Sequence, residues 1–145
     1  MKVIFFDLGD TLVTTHKTWL PGAKALLPSL REKGFRLGIM SNTHGLATRQ
    51  AILDRLPNDF DLQLFDPTLV LFSSEIGKEK PDREIFEEAV TRAHAAPAEC
   101  LYCSENVVET LMAQHVGMHS IRVQTSSNSD LASLEQDLAR FLDLI

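Results

Sequence analysis

No stretch of this 145-residue chain approaches the length of an apolar membrane-spanning helix. The charged Lys2 is followed by an apolar run too short for a secretion signal. Internal repeats, low-complexity tracts and a Pro- or Ser-rich linker are all missing. Positive charge is in deficit: 14 Lys and Arg stand against 20 Asp and Glu, a formal net charge of -6. Broad nucleic-acid binding relies on neutralising phosphates with Lys and Arg, so that class is disfavoured, although a small basic pocket for one phosphate is not. Cysteine is scarce. Cys100 and Cys103 form a C-x-x-C pattern, but no second Cys or His pair follows at zinc spacing, and the pattern lies inside an apolar strand-like stretch rather than at a helix start. Buried, reduced thiols are the simpler expectation, and they point to the cytoplasm.

What is present is ordinary for a globular protein: 44% apolar and 23% charged residues in 16.2 kDa. A single domain over residues 1–145 is expected, burying about two thirds of its unfolded surface. Lys2–Phe6, Phe35–Met40, Leu101–Cys103 and Ile121–Val123 read as strands, the first short, continuous, β-branched and aromatic. Phe60–Phe72, broken by Asp66-Pro67, reads as two short extended pieces. Helical spacing marks Ala25, Leu26, Leu27 and Leu30 after Pro21-Gly22, with Pro28 expected to kink that helix or delay its start. Ser41-Asn42-Thr43 reads as a turn and helix start, and Ile52, Leu53 and Leu56 line the next helix. The others are marked by Ile85, Phe86, Ala89, Val90 and Ala93; by Val107, Val108, Leu111 and Met112; and by Leu131, Leu134, Leu138, Phe141 and Leu142, with Ser129 or Asp130 as cap.

Alternating strands and helices predict an α/β fold, a central parallel sheet with helices on both faces. Ligands of such sheets bind beyond the carboxyl ends of the strands, where strand order reverses. That rule selects the polar residues following the strands: Asp7, Ser41-Asn42 and Ser104-Glu105, joined by Lys80 at a helix start. Each has an ordinary alternative. Asp7, Ser41 and Asn42 suit turns or caps, Lys80 suits a solvated surface, and Asn106 with Glu109 fits a reciprocal capping box. Gathered at one sheet edge, however, a carboxylate, a hydroxyl, a lysine and further acids make a phosphate-plus-metal site.

Four segments, in order, resemble the motifs of the haloacid dehalogenase-like hydrolases, most of which are phosphatases: FFDLGDTL, LGIMSNT, GKEKPDREIF and LYCSENVVETLMAQHVGM. The resemblance spans Val3 to Val123 and implies a three-layer Rossmann-like fold. It implies that Asp7 is a nucleophile forming an aspartyl-phosphate. Mg²⁺ would be held by the Asp7 carboxylate, the Gly9 carbonyl and Glu105, with Glu109 as a further acid of the same motif. Ser41 and the Asn42 amide would hold phosphate oxygens, and Lys80 would offset negative charge.

Three departures from the family pattern stand out. Gly9 occupies the position of the usual acid/base Asp, leaving Asp10 as the nearest substitute. Glu105 and Glu109 stand where aspartates are usual. Ser104 replaces a glycine and would crowd the turn if a positive φ were needed. Asp7 and Ser41 are also separated by barely enough chain for a loop and one helix, so no cap domain is expected. An open site suits a macromolecular substrate, or a cap supplied by a neighbouring subunit of a homo-oligomer; a phosphorylated small molecule is the other substrate class. The loop Thr11–Leu20, with His16, Lys17 and Trp19, either walls the entrance or, in Trp19's case, simply packs on the surface. The leading expectation is a Mg²⁺-dependent phosphomonoester hydrolase. Two alternatives are a binding or assembly module with weak or no catalysis, motivated by Gly9, Ser104 and the two glutamates, and another aspartyl-ester hydrolase such as a dehalogenase.

Overall fold

A computed structural model describes residues 2–43 and 45–123. The expected helix over Leu131–Leu142 and its cap lie outside the described residues. Among the described residues five parallel strands form one sheet: β1 (Val3–Phe6), β2 (Arg36–Ser41), β3 (Val70–Phe72), β4 (Cys100–Ser104) and β5 (His119–Arg122), in the order β3-β2-β1-β4-β5. The chain steps outward from β1 to β2 and β3, then returns past β1 to β4 and β5. Strand order therefore reverses between β1 and β4, and their carboxyl ends flank the cleft where α/β ligands bind.

The continuous apolar runs follow from burial on both faces. Ile4 and Phe6 of β1 and Leu101 and Cys103 of β4 join one core with α1 (Ala23–Glu32) and α2 (Arg49–Leu53). Val3, Phe5, Cys100 and Tyr102 face the other core with α4 (Arg83–Ala93) and α5 (Val107–His115). A short helix, α3 (Ser73–Ile76), follows β3. Because Cys100 and Cys103 point to opposite faces and are free, they neither pair nor chelate. Burial raises both thiols, Cys100 to about 11 and Cys103 further. Among the described residues no helix is long and apolar enough to cross a membrane.

Several local expectations are corrected. Pro28 lies inside α1, which begins at Ala23 after a left-handed Gly22; Ala25 is exposed, and Ala23 is the buried residue of that turn. Ser41 ends β2 rather than opening a helix: α2 starts later, where Thr48 accepts a hydrogen bond from the Ala51 N–H. Phe60–Phe72 yields a single strand, because Asp61 and Asp66 each cap a 3₁₀ turn, over residues 62–64 and 67–69. Val107, Val108 and Leu111 are exposed, since the inward side of α5 is taken by Glu109, Thr110 and Ala113.

Gly38 sits opposite Phe5 in the β1–β2 register. A Cβ there would lie 2.5 Å from the Phe5 ring and 2.9 Å from the Leu69 carbonyl oxygen. The ring is fully buried and the carbonyl belongs to the backbone, so neither yields easily. Gly38→Ala should cost about 2–3 kcal/mol and lower Tm by roughly 5–10 °C. Thermal and denaturant melts check this; an unchanged midpoint would mean that Phe5 finds another rotamer.

Candidate active site

Asp7 follows β1, and its backbone N–H continues the pairing by donating to the Cys103 carbonyl at 3.0 Å. The carboxylate is thereby held at the reversal point, 8% exposed. Its Oδ1 accepts from the Leu8 N–H at 2.8 Å and lies 3.0 Å from Lys80 Nζ, while Oδ2 accepts from Ser104 Oγ at 3.3 Å. Burial is the main influence and raises Asp7 above the usual carboxylate range, against the pull of Lys80. A carboxylate poised this way is incompletely neutralised.

Lys80 is the buried cation of the site, 4% exposed. Its Nζ touches three groups: Asp7, Glu109 Oε1 at 2.7 Å and the Tyr102 hydroxyl at 2.9 Å. Tyr102 in turn donates to Glu109 Oε1 at 2.6 Å. The lysine backbone is fixed separately. Asn42 Nδ2 donates to the Lys80 carbonyl and Asn42 Oδ1 accepts from the Lys80 N–H, each at 2.9 Å. Lys78, two residues earlier, pairs with Glu88 at the surface and takes no part.

The fourth segment divides its acids. Asn106 Oδ1 caps α5 by accepting from the Glu109 N–H. The reciprocal half of the expected capping box is not made: Glu109 turns to Lys80 and Tyr102, and the Asn106 N–H goes to Ser104 Oγ instead. Glu105 is half-buried and its side chain has no hydrogen-bond or ion-pair partner among the described residues. Its backbone N–H donates to Thr11 Oγ1 at 3.2 Å, tying the first segment to the fourth. Burial, and then Asp7, Glu109 and Asp10, raise its pKa. Ser104 needs no positive φ. It ends β4 in extended conformation and turns a buried hydroxyl towards Asp7 and Glu109.

At the first segment the sharp coil falls on Asp10 itself, at φ 58°, whereas Gly9 has no left-handed conformation to sustain. Asp10 is exposed. Ser41, at the end of β2, faces the cleft with a hydroxyl that makes no hydrogen bond among the described residues. Trp19 stacks on Phe60 at 5.3 Å and donates to Asp59, so it packs against the core rather than lining the entrance. Asp7, Lys80, Ser41, Asn42 and the two glutamates thus meet at one end of the sheet. Ser104, selected at its strand end, joins them through its hydroxyl; Tyr102 also belongs to the site and was not expected. A polar side chain in a buried strand, as at Tyr102, is the signal that identifies such a residue.

The donor set suits a hard cation. Asp7, Glu105 and the Gly9 carbonyl supply only oxygen. No three His, Cys, Asp or Glu side chains among the described residues enclose a metal by themselves. Oxygen donors of this kind are the ones Mg²⁺ takes, through one or two carboxylates and several waters.

A sequence profile described as haloacid dehalogenase-like hydrolase matches residues 9–123. A glyceraldehyde 3-phosphate phosphatase of Methanothermobacter thermautotrophicus is 34% identical over 118 residues, which are 81% of this chain and 48% of that protein. The chain spans about half the length of the curated relatives it matches. An uncharacterised protein from Listeria monocytogenes superposes with TM-score 0.75 at 22% identity over 100% of both chains. A haloacid dehalogenase-family enzyme of Bacteroides thetaiotaomicron, crystallised with magnesium and inorganic phosphate, superposes with TM-score 0.69 at 16% identity over 92% of this chain and 98% of that one.

Proposed function

Because the chain belongs to the haloacid dehalogenase-like hydrolases, we propose that it is a Mg²⁺-dependent phosphomonoester hydrolase working through an aspartyl-phosphate on Asp7. The observation that carries this reading is the buried Asp7–Lys80–Glu109 cluster at the strand reversal. A carboxylate oxygen of Asp7 attacks phosphorus, and the ester oxygen leaves with the P–O bond electrons. Water then hydrolyses the acyl phosphate and restores Asp7. Lys80 offsets the negative charge that Asp7 and the phosphoryl group bring together. Ser41 Oγ and the Asn42 backbone N–H hold phosphate oxygens; the Asn42 side chain is already committed to Lys80. Mg²⁺ would be held by Asp7, the Gly9 carbonyl and Glu105, and would neutralise charge on the transferring phosphoryl group. Glu105 is a better ligand than Glu109 because Glu109 is occupied by Lys80 and Tyr102. The phosphatase name of the archaeal relative supports a phosphorylated small molecule as substrate. Mg²⁺-dependent turnover of p-nitrophenyl phosphate tests the reading; a metal-loaded, folded protein without turnover would favour the binding-module alternative.

Gly9 supplies no proton to the leaving group. A Cβ at Gly9 meets nothing within 4 Å, and the backbone there is not left-handed. Gly9→Asp should therefore fold like the wild type. It should raise turnover of alkyl phosphates by about 10²-fold while changing aryl phosphates little. Asp10→Asn should leave the dependence on leaving-group pKa almost unaltered. Rates over a graded ester series check both, and a loss in Asp10→Asn confined to poor leaving groups would make Asp10 the acid.

A further inference from the structure

A cavity of about 530 Å³ opens from the active site. It shares Gly9, Ser41 and Asn42 with the site and runs away from Asp7, beneath the loop that follows β1, to α2. Its volume falls in the range that holds small molecules. Val13, Ile52 and Leu56 make its floor, with Leu46 beside them. The first three are 5% exposed or less, so core packing holds their side chains and the floor exists before any ligand arrives. The rim is polar and of mixed charge, with Lys17 and Arg55 against Asp54.

We propose that this cavity is the leaving-group subsite and that it takes phosphate monoesters of phenol-like alcohols with an apolar body; this rests on the phosphatase reading above. Two independent features converge on that class. The floor offers apolar surface and few fixed hydrogen-bonding groups, which suits an aromatic ring better than a sugar or a polyol. Gly9, two residues after Asp7, lines the cavity with no side chain to fill it and brings no acid. A leaving group seated there departs as the free oxyanion when its P–O bond breaks, with no proton taken from the protein. A phenol tolerates that far better than an alkanol. A second cavity, of about 440 Å³ and reached from Thr43 and Ser73, is lined by Glu79, Asp82 and Glu84 against one cation, Lys78, and this net negative charge disfavours a phosphate ester.

Binding of non-hydrolysable probes separates the subsite from catalysis. In calorimetric titrations with Mg²⁺ present, benzylphosphonate should bind about tenfold or more tightly than methylphosphonate, roughly 1.4 kcal/mol. Leu46→Gln, polar but uncharged, should remove that gap and leave methylphosphonate unchanged. Thr15→Trp, which fills the cavity from its exposed rim without touching the core, should do the same. Equal affinities in the wild type, or a gap that survives both variants, would overturn the proposal. A protein that keeps the gap and both variant effects but turns over no aryl phosphate would keep the subsite and lose the hydrolase.

Discussion

Asn in place of Asp7 should leave a folded protein whose phosphatase activity is lower by ~10⁴-fold or more, with stability at neutral pH equal to or above that of the wild type. The loss of activity follows from the loss of the attacking oxygen: an amide does not form the acyl phosphate. The gain in stability follows from burial. Desolvation raises Asp7 above its usual value despite Lys80 beside it. The folded state therefore binds the Asp7 proton more tightly than the unfolded state does. The stability linked to this group is present below the usual aspartate pKa and is lost as pH rises through the raised value. At neutral pH the ionised carboxylate costs stability, and Asn avoids that cost. Asn also keeps the local bonds, because its carbonyl oxygen still accepts from the Leu8 N–H. Turnover assays on contamination-free protein and metal-free melts at neutral and acid pH check both halves. Wild-type-like turnover by the folded variant would remove Asp7 from the nucleophile role. A large fall in its Tm would mean that the ionised carboxylate supports the fold.

Lys80→Ala should act in the opposite sense on stability. The lysine is the buried partner of two carboxylates, Asp7 at 3.0 Å and Glu109 at 2.7 Å. Removing one member of a buried ion pair leaves charge uncompensated and costs about 3–5 kcal/mol. Turnover should also fall by about 10²–10³-fold, the usual effect of deleting a group aimed at developing negative charge. Lys78→Ala should change stability by no more than about 0.5 kcal/mol, because its pair with Glu88 is at the surface. The double variant Asp7→Asn/Lys80→Ala should regain part of what Lys80→Ala loses, since one of the stranded carboxylates has gone. Urea melts of the four proteins give the coupling. Additive losses would separate the two residues energetically, and damage from Lys78→Ala instead would move the functional lysine.

The parts of the fold written in apolar runs were legible in the sequence. Val3–Phe6 and Cys100–Ser104 are buried on both faces, so their residues carry the strand signal without interruption. Phe60–Phe72 carried a similar signal and gave only β3, because two aspartates bend the chain into 3₁₀ turns at a scale finer than apolar content reports. The positions of Asp7, Ser41, Ser104 and Glu105 followed from one rule about strand ends, and Lys80 was added from its place at a helix start. Tyr102 did not, since it sits in a strand that reads as core, and its hydroxyl has meaning only beside Lys80 and Glu109. Val107, Val108 and Leu111 misled for the converse reason. Apolar spacing suggested an inner face, but the acid that must reach the lysine, Glu109, turns that side of α5 towards the site.

The paired hydrogen bonds between the Asn42 side chain and the Lys80 backbone join two points 38 residues apart in the chain. They set the lysine against the end of β2 rather than against the intervening segment. The distance between Ser41 and Lys80 is thus insulated from what happens in the surface turns from Pro57 to Leu64. A few residues added or removed there change closure entropy only slightly, and the error they introduce is absorbed before it reaches the cation. The periphery of this sheet is free to drift in length while the spacing between the end of β2 and the buried lysine stays constant.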